Sequence, residues 1–206
     1  MNINNVHKFI EIGMHIANEN MEILCNLDSQ NGDGDLGITF SKVMKSFQQT
    51  YQEFEGQDVG KFFYLAGMDI TENAASTMGT LLASGFMQVG KNLKGKEQLN
   101  QDDFIVFYES MIEGIQKRGK AAIGDKTILD TLQPIADSFK ETTDLNLKDA
   151  FEKAVKVAEK AVENTKQLEA KHGRAARYEN KSLGLIDSGS VVAKLLTQIF
   201  YQLYRI

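Results

Sequence analysis

The sequence predicts an all-α protein: eight antiparallel helices closed into an up-and-down helical barrel. Three observations point there. Only one proline occurs in 206 residues, and strand-rich folds use proline in their many turns while long helices exclude it. Apolar residues recur at steps of three and four, the spacing that lines one helical face. The segments between them are mostly short, which favours antiparallel neighbours.

Taken in order, Val6, Phe9, Ile10, Met14, Ala17, Met21, Leu24 and Cys25 mark one amphipathic helix from Asn4 to about Leu27. A second is expected from Gly37 or Ile38, through Phe40, Val43, Met44 and Phe47, to Phe54. Asp58 suits the N-cap of a third, which runs through Phe62, Phe63, Leu65 and Ala66. The fourth spans Ser76 to Leu93 and opens on small residues, Ala74-Ala75-Ser76-Thr77, read either as close packing or as room for a ligand. Asp102 or Asp103 can cap the fifth, through Phe104, Phe107, Met111 and Ile115. Ile128 to about Phe139 is the sixth, and Pro134 is expected to kink it unless that residue lies in its first turn. The seventh covers Leu147 to Ala170 with Phe151, Ala154, Val155, Ala158 and Val162 inward. An irregular stretch, Lys171 to Gly189, leads to the eighth, through Val191, Leu195, Ile199 and Leu203.

The unusual connections each lead into an even-numbered helix. In an up-and-down arrangement they share one end of the barrel, so special residues up to about 160 positions apart gather there.

The length suits a single domain over residues 1–206. A net charge of −5 argues against a nucleic-acid binder, which shows a basic patch or stripe. The lone Cys25 cannot make an internal disulfide, which fits a reducing compartment. Its apolar setting reads as core. No apolar run approaches the roughly 18 residues a spanning helix needs, and no signal-peptide pattern opens the chain. A cytoplasmic protein with no membrane or nucleic-acid partner is the expectation.

Asp28-Ser29-Gln30-Asn31-Gly32-Asp33-Gly34-Asp35-Leu36-Gly37 holds the densest chemistry. Asp33 and Asp35 repel each other unless a cation lies between them, and the glycines permit tight turns and close backbone approach to a ligand. An EF-hand count from Asn31 fails, because Leu36 stands where glycine is needed and Lys42 where a bidentate glutamate is needed. Asp28, Asp33 and Asp35 suit Mg²⁺, which takes few protein ligands and shares itself with phosphate. The other reading is a solvated Asp-Gly turn. A helix starting after this loop points free N–H groups at it, which suits an anion.

Gly124-Asp125-Lys126-Thr127 lacks the spacing and preceding strand of a P-loop, and reads as a helix start capped by Asp125. Gly173-Arg174-Ala175-Ala176-Arg177 reads as a basic turn, and Asp187-Ser188-Gly189-Ser190 as the N-cap of the last helix. His7, His15 and His172 form no site by spacing, and no nucleophile arrangement is present.

In this order the motifs resemble the DhaL family, the nucleotide-binding subunit or domain of dihydroxyacetone kinases. The matching pieces are Asp28 with Gly32-Asp33-Gly34-Asp35, Ala75-Ser76 with Met78-Gly79-Thr80-Leu81-Leu82, Arg118-Gly119-Lys120 with Gly124-Asp125-Lys126-Thr127, Gly173-Arg174-Ala175, and Asp187-Ser188-Gly189. The resemblance implies a helical barrel with ADP or ATP at one end, and two Mg²⁺ ions on Asp28, Asp33 and Asp35. It implies nucleotide contacts at Leu36, Gly37, Ile38, Thr39, Ala75, Ser76, Gly119, Ile128, Arg174, Asp187, Ser188 and Gly189. It further implies a DhaK-type partner that holds the ketose, and in one branch a DhaM-type phosphotransferase-system protein that rephosphorylates bound ADP. The family usually has histidine where this chain has Leu36, so a paralogue for another small ketose, or a Mg-nucleotide-dependent regulatory module that signals to a partner protein, is the alternative.

Overall fold

The computed structural model describes residues 1–177 and 182–205. Nine α-helices lie among them: α1 (Ile3–Glu19), α2 (Met21–Ser29), α3 (Leu36–Glu53), α4 (Val59–Asn73), α5 (Thr77–Asn92), α6 (Gln101–Gly119), α7 (Leu129–Lys140), α8 (Leu147–Asn164) and α9 (Ser188–Arg205). The described residues contain no strand beyond one isolated bridge between Asn2 and Gln98.

Eight of the helices form the ring. α1 packs on α3, each later helix packs on the next, and α9 returns to α1, while α2 lies against α3. The ninth helix exists because the first expected one is broken at Asn20. That residue leaves helical geometry (φ −102°, ψ 4°) and its side-chain amide donates to the Ile16 carbonyl at 2.8 Å. An asparagine that bonds its own helix in this way competes with the helical ladder.

Three further details differ from expectation. The α6 cap is Asn100, not Asp102 or Asp103. Asn100 accepts from the Asp103 amide at 3.0 Å and Asp103 accepts from the Asn100 amide at 2.9 Å, a reciprocal box. α8 stops at Asn164, not Ala170, and a short 3-10 turn (Thr165–Gln167) follows. There the buried Thr165 hydroxyl donates to the Val162 carbonyl at 2.6 Å. Cys25 is half-buried rather than core.

Phenylalanines fill the ring. Phe47 on α3 meets Phe9, Phe62, Phe63 and Phe86, with centroids 4.9–6.1 Å apart. Phe104 on α6 meets Phe139, Phe151 and Phe200 on the other side at 4.9–6.1 Å. Phe107 and Phe200 join the two groups, through Phe107–Phe63 at 5.3 Å and Phe200–Phe9 at 4.9 Å. Many of these pairs are edge-to-face, the arrangement aromatic quadrupoles favour. This packing closes the barrel around a solid centre and leaves the ends for chemistry.

Candidate functional site: an acidic cleft at one end of the barrel

The acidic loop is built by its own backbone. Asp28 lies in the last turn of α2 and its Oδ2 accepts from the Gly34 amide at 2.8 Å. Gly34 sits at φ +74°, in the left-handed region that glycine enters without steric penalty. At Gly32 a Cβ would lie 2.6 Å from Asp28 Oδ1, so the turn admits no larger residue there without movement. The chain is thereby folded back until one oxygen from each of Asp28, Asp33 and Asp35 lies within 4.8 Å of the others. Burial first, then the charges of Asp33 and Asp28, hold the Asp35 carboxyl above the usual aspartate range. A cluster of hard oxygens that repel one another fits a divalent cation such as Mg²⁺. Arg174 supplies a positive charge, with Nη2 2.7 Å from Asp33 Oδ2.

Beside the loop lies a cleft of about 290 Å³. Asp28, Asp35, Leu36, Gly119, Ile128, Arg174, Asp187, Ser188 and Gly189 all line it. The connections leading into α3, α7 and α9 and the first turn of α5 therefore do meet at one end. Ser188 Oγ donates to Asp28 Oδ1 at 3.3 Å across 160 positions of sequence. Asp187 caps α9, as expected, accepting from the Ser190 amide at 2.6 Å. Burial pushes its carboxyl up to about 6, against the opposing effect of that amide.

The remaining predicted contacts stand back from the cleft wall. Gly37 faces α2, where a Cβ would lie 2.1 Å from the Met21 carbonyl. Ile38 is exposed, as is Ala75. Thr39 donates its hydroxyl to Ser76 Oγ at 3.0 Å, and Ser76 caps α5 by accepting from the Gly79 amide at 3.0 Å. The first-turn N–H groups of any helix lack intrahelical partners, and at the start of α3 no side-chain cap from Asp35 meets them.

Thr77, Met78, Leu81, Ile115, Lys126 and His172 also line the cleft and were not singled out from sequence as site residues. Met78 and Leu81 follow the small-residue start of α5 at helical spacing, a usable signal. Ile115 looks like any core residue of α6. Asp125 departs from expectation: it does not cap α7. No side chain caps α7; Asp130 in its first turn instead ties down the preceding loop, accepting from the Thr127 amide at 2.7 Å and the Gly124 amide at 2.5 Å. Asp125 instead accepts from the Ala122 amide, Lys171 Nζ and His172 Nε2 at 2.7–3.0 Å. The Ala122 amide is the main cause holding its carboxyl down at about 2. The Gly173–Arg174 turn is present, with Gly173 at φ +69°; the Arg177 side chain and residues 178–181 lie outside the described residues. His7 and His15 sit on the surface of α1 beside Glu11 and Glu19.

A closed ring of helices carrying an acidic, glycine-rich cleft at one end defines the class. The chain belongs to the DAK2 domain family, whose model matches residues 30–202, and within that family it is of the DhaL type. It is 30% identical over 184 residues to the ADP-binding subunit DhaL of a PEP-dependent dihydroxyacetone kinase of Listeria innocua, covering 89% of this chain and 88% of that one. It is 26% identical to the corresponding Escherichia coli subunit, covering 86% of each. The fold matches the dihydroxyacetone kinase of C. freundii at 21% identity with a TM-score of 0.74, over 96% of this chain and 34% of that longer one. A structure of the C. freundii kinase in complex with AMP-PNP and Mg²⁺ matches with a TM-score of 0.68, at 22% identity, covering 94% of this chain and 33% of that one. No helix among the described residues is long and apolar enough to cross a membrane.

Proposed function

We propose that the chain is the ADP- or ATP-binding subunit of a kinase for dihydroxyacetone or a related small ketose, a single DhaL-type domain over residues 1–206 working in the cytoplasm with a DhaK-type partner. The observation that carries this reading is the convergence of Asp28, Asp33 and Asp35 in one cluster beside the uncapped start of α3 and Arg174. The relatives' names and the AMP-PNP and Mg²⁺ complex of the fold neighbour support it.

In this reading Asp28, Asp33 and Asp35 hold two Mg²⁺ ions. Bound there, the ions supply charge neutralisation on the terminal phosphates. The chain's own residues bind and orient. Free N–H groups at the start of α3 face an anionic group, as helix N-termini commonly do. Arg174, now on Asp33, is placed to donate to phosphate oxygens. Leu27, Met78, Leu81, Ile115 and Ile186 form the apolar wall that a nucleotide base or ribose face requires. The acceptor hydroxyl comes from a ketose held by the DhaK-type partner, which accounts for a cleft without a nucleophile of its own. A DhaM-type protein then rephosphorylates bound ADP, or ATP exchanges.

Leu36 supports a second reading. It is buried in the cleft wall and carries no donor. A Mg-nucleotide-dependent regulatory module, signalling to a partner protein with little kinase activity, needs binding but not turnover.

Purified protein separates these readings. Nucleotide released on denaturation, a Mg²⁺-dependent thermal shift with ADP, and phosphotransfer to dihydroxyacetone in the presence of a DhaK subunit are the expected results. Tight nucleotide without transfer favours the regulatory module, and no Mg²⁺-dependent shift overturns both. Asp33→Ala should lose the Mg²⁺-dependent shift while keeping the helical circular dichroism spectrum, because removing one of three repelling carboxylates relieves strain in the ligand-free loop. Loss of helicity would instead make the loop structural.

A further inference from the structure

We propose that Lys126 is a positioning residue whose ammonium clamps the stretch that follows α8 and the stretch that precedes α9 against the cleft, and so sets the cleft's grip on its ligand. The functional half of this proposal rests on the nucleotide-binding reading above. Lys126 is only 5% exposed. Its Nζ donates to the backbone carbonyls of Leu168 at 3.2 Å, Leu185 at 2.7 Å, and Ser182. An ammonium has three donors, so every one is used. A lysine meant for phosphate would keep donors free; this one acts through what it holds.

What it holds are the two arms of one segment. Leu168 follows the 3-10 turn after α8, while Ser182 and Leu185 lie shortly before α9. The same arms are joined by the Ala170 amide donating to Ser182 Oγ at 3.0 Å and the Gly184 amide donating to the Lys166 carbonyl at 2.8 Å. On the near arm, beyond Ala170, come His172, Gly173 and Arg174, all in the cleft wall. Asp125 grips the outside of that arm through Lys171 Nζ at 2.9 Å and His172 Nε2 at 3.0 Å. Its carbonyl accepts from the Lys171 amide at 3.1 Å. Adjacent residues thus hold the segment from two sides.

The backbone bears the mark of this arrangement. Lys126 sits at φ +60°, a left-handed conformation that costs a side-chain-bearing residue and persists where surrounding structure demands it. At this position the side chain reaches inward to the carbonyls. Losing the ammonium leaves the buried Ser182 carbonyl and the half-buried Leu168 and Leu185 carbonyls with fewer donors, the costly half of a broken hydrogen bond.

The test uses the full chain with Lys126→Met, which keeps length and removes the charge. Hydrogen exchange without ligand should speed up at the Ala170 and Gly184 amides by about tenfold or more, with unchanged helical circular dichroism. Calorimetric affinity for Mg-ADP should fall by about tenfold, as Arg174 loses its fixed position. Chemical rescue reads the ammonium itself. Lys126→Cys in a Cys25→Ser background, aminoethylated at the new thiol, should restore both quantities. Unchanged exchange in Lys126→Met overturns the clamp. Faster exchange with unchanged affinity overturns its functional half. If the wild-type chain binds no Mg-ADP, the nucleotide reading falls and the functional half with it, while exchange still decides the clamp. Should Lys126→Met not fold, Lys126→Gln, which keeps a shorter polar side chain without the ammonium, takes its place: faster exchange at the Ala170 and Gly184 amides then supports the clamp, and unchanged exchange overturns it.

Discussion

The two ends of the barrel are built by different rules. At the end away from the cleft the four ring helices that start there are each capped by the side chain of the preceding residue: Asn2 for α1, Asp58 for α4, Asn100 for α6 and Asn146 for α8. Asp58 also accepts from the Gly95 amide at 2.9 Å, tying the α5–α6 connection to α4. At the cleft end α3 and α7 start without a conventional side-chain cap from the residue before the helix. That end also contains three crowded carboxylates, a half-buried Asp187 with a raised pKa and a lysine in the left-handed region. The contrast shows where local stability has been given up. Among the described residues the ring helices that start at the far end find their caps within the chain, whereas α3 and α7 at the cleft end have no side-chain cap.

Three substitutions separate the two ends. The largest effect is expected at Asp187. Its carboxyl titrates at about 6 in the folded protein, against about 3.9 for an unperturbed aspartate. The folded state thus holds this proton more tightly than the unfolded chain. Stability falls as pH rises from about 4 to about 6, by roughly 2–3 kcal/mol, and does not recover above. Asp187→Asn keeps an acceptor for the Ser190 amide and removes the charge. Urea unfolding should show a gain of about 2 kcal/mol at pH 8 and almost none at pH 4. An equal change at both values would mean that the cleft end carries no such cost.

Asp58→Ala comes next. Losing a cap that serves two amides should cost about 1–2 kcal/mol in the same experiment, with Mg-ADP affinity unchanged. A lowered affinity would show that the ends are coupled through the barrel. Ser76→Ala is the smallest. It removes the α5 cap and the acceptor of the Thr39 hydroxyl, for about 1 kcal/mol or less. Because Ser76 lies at the cleft end, a loss of Mg-ADP affinity by several-fold should accompany it; a change in stability alone would move Ser76 to the closed-end class.

Much of this was legible in the chain itself. Helical periodicity located the ring helices, since a helix must bury one stripe wherever it sits. The acids and glycines of Asp28 to Gly37 announced their cluster because the loop is short enough to build itself. The gathering of distant motifs followed from counting up-and-down connections. Boundaries were less visible: Asn20 breaks a continuous apolar pattern with a single amide, and Asn100 takes the cap from two equally suitable aspartates.

What the sequence alone determined, then, is the all-helical ring, the end at which its special connections meet, and the acidic loop. These depend on spacing along the chain, and neighbours in sequence are enough to enforce them. Contacts between distant segments set the rest: Asp125 holds Lys171 and His172, Lys126 spends its ammonium on three distant carbonyls, and Asp187 is raised to about 6. Burial and long-range hydrogen bonds set those properties. The Lys126 partners lie 42 to 59 positions away, beyond the reach of any local pattern.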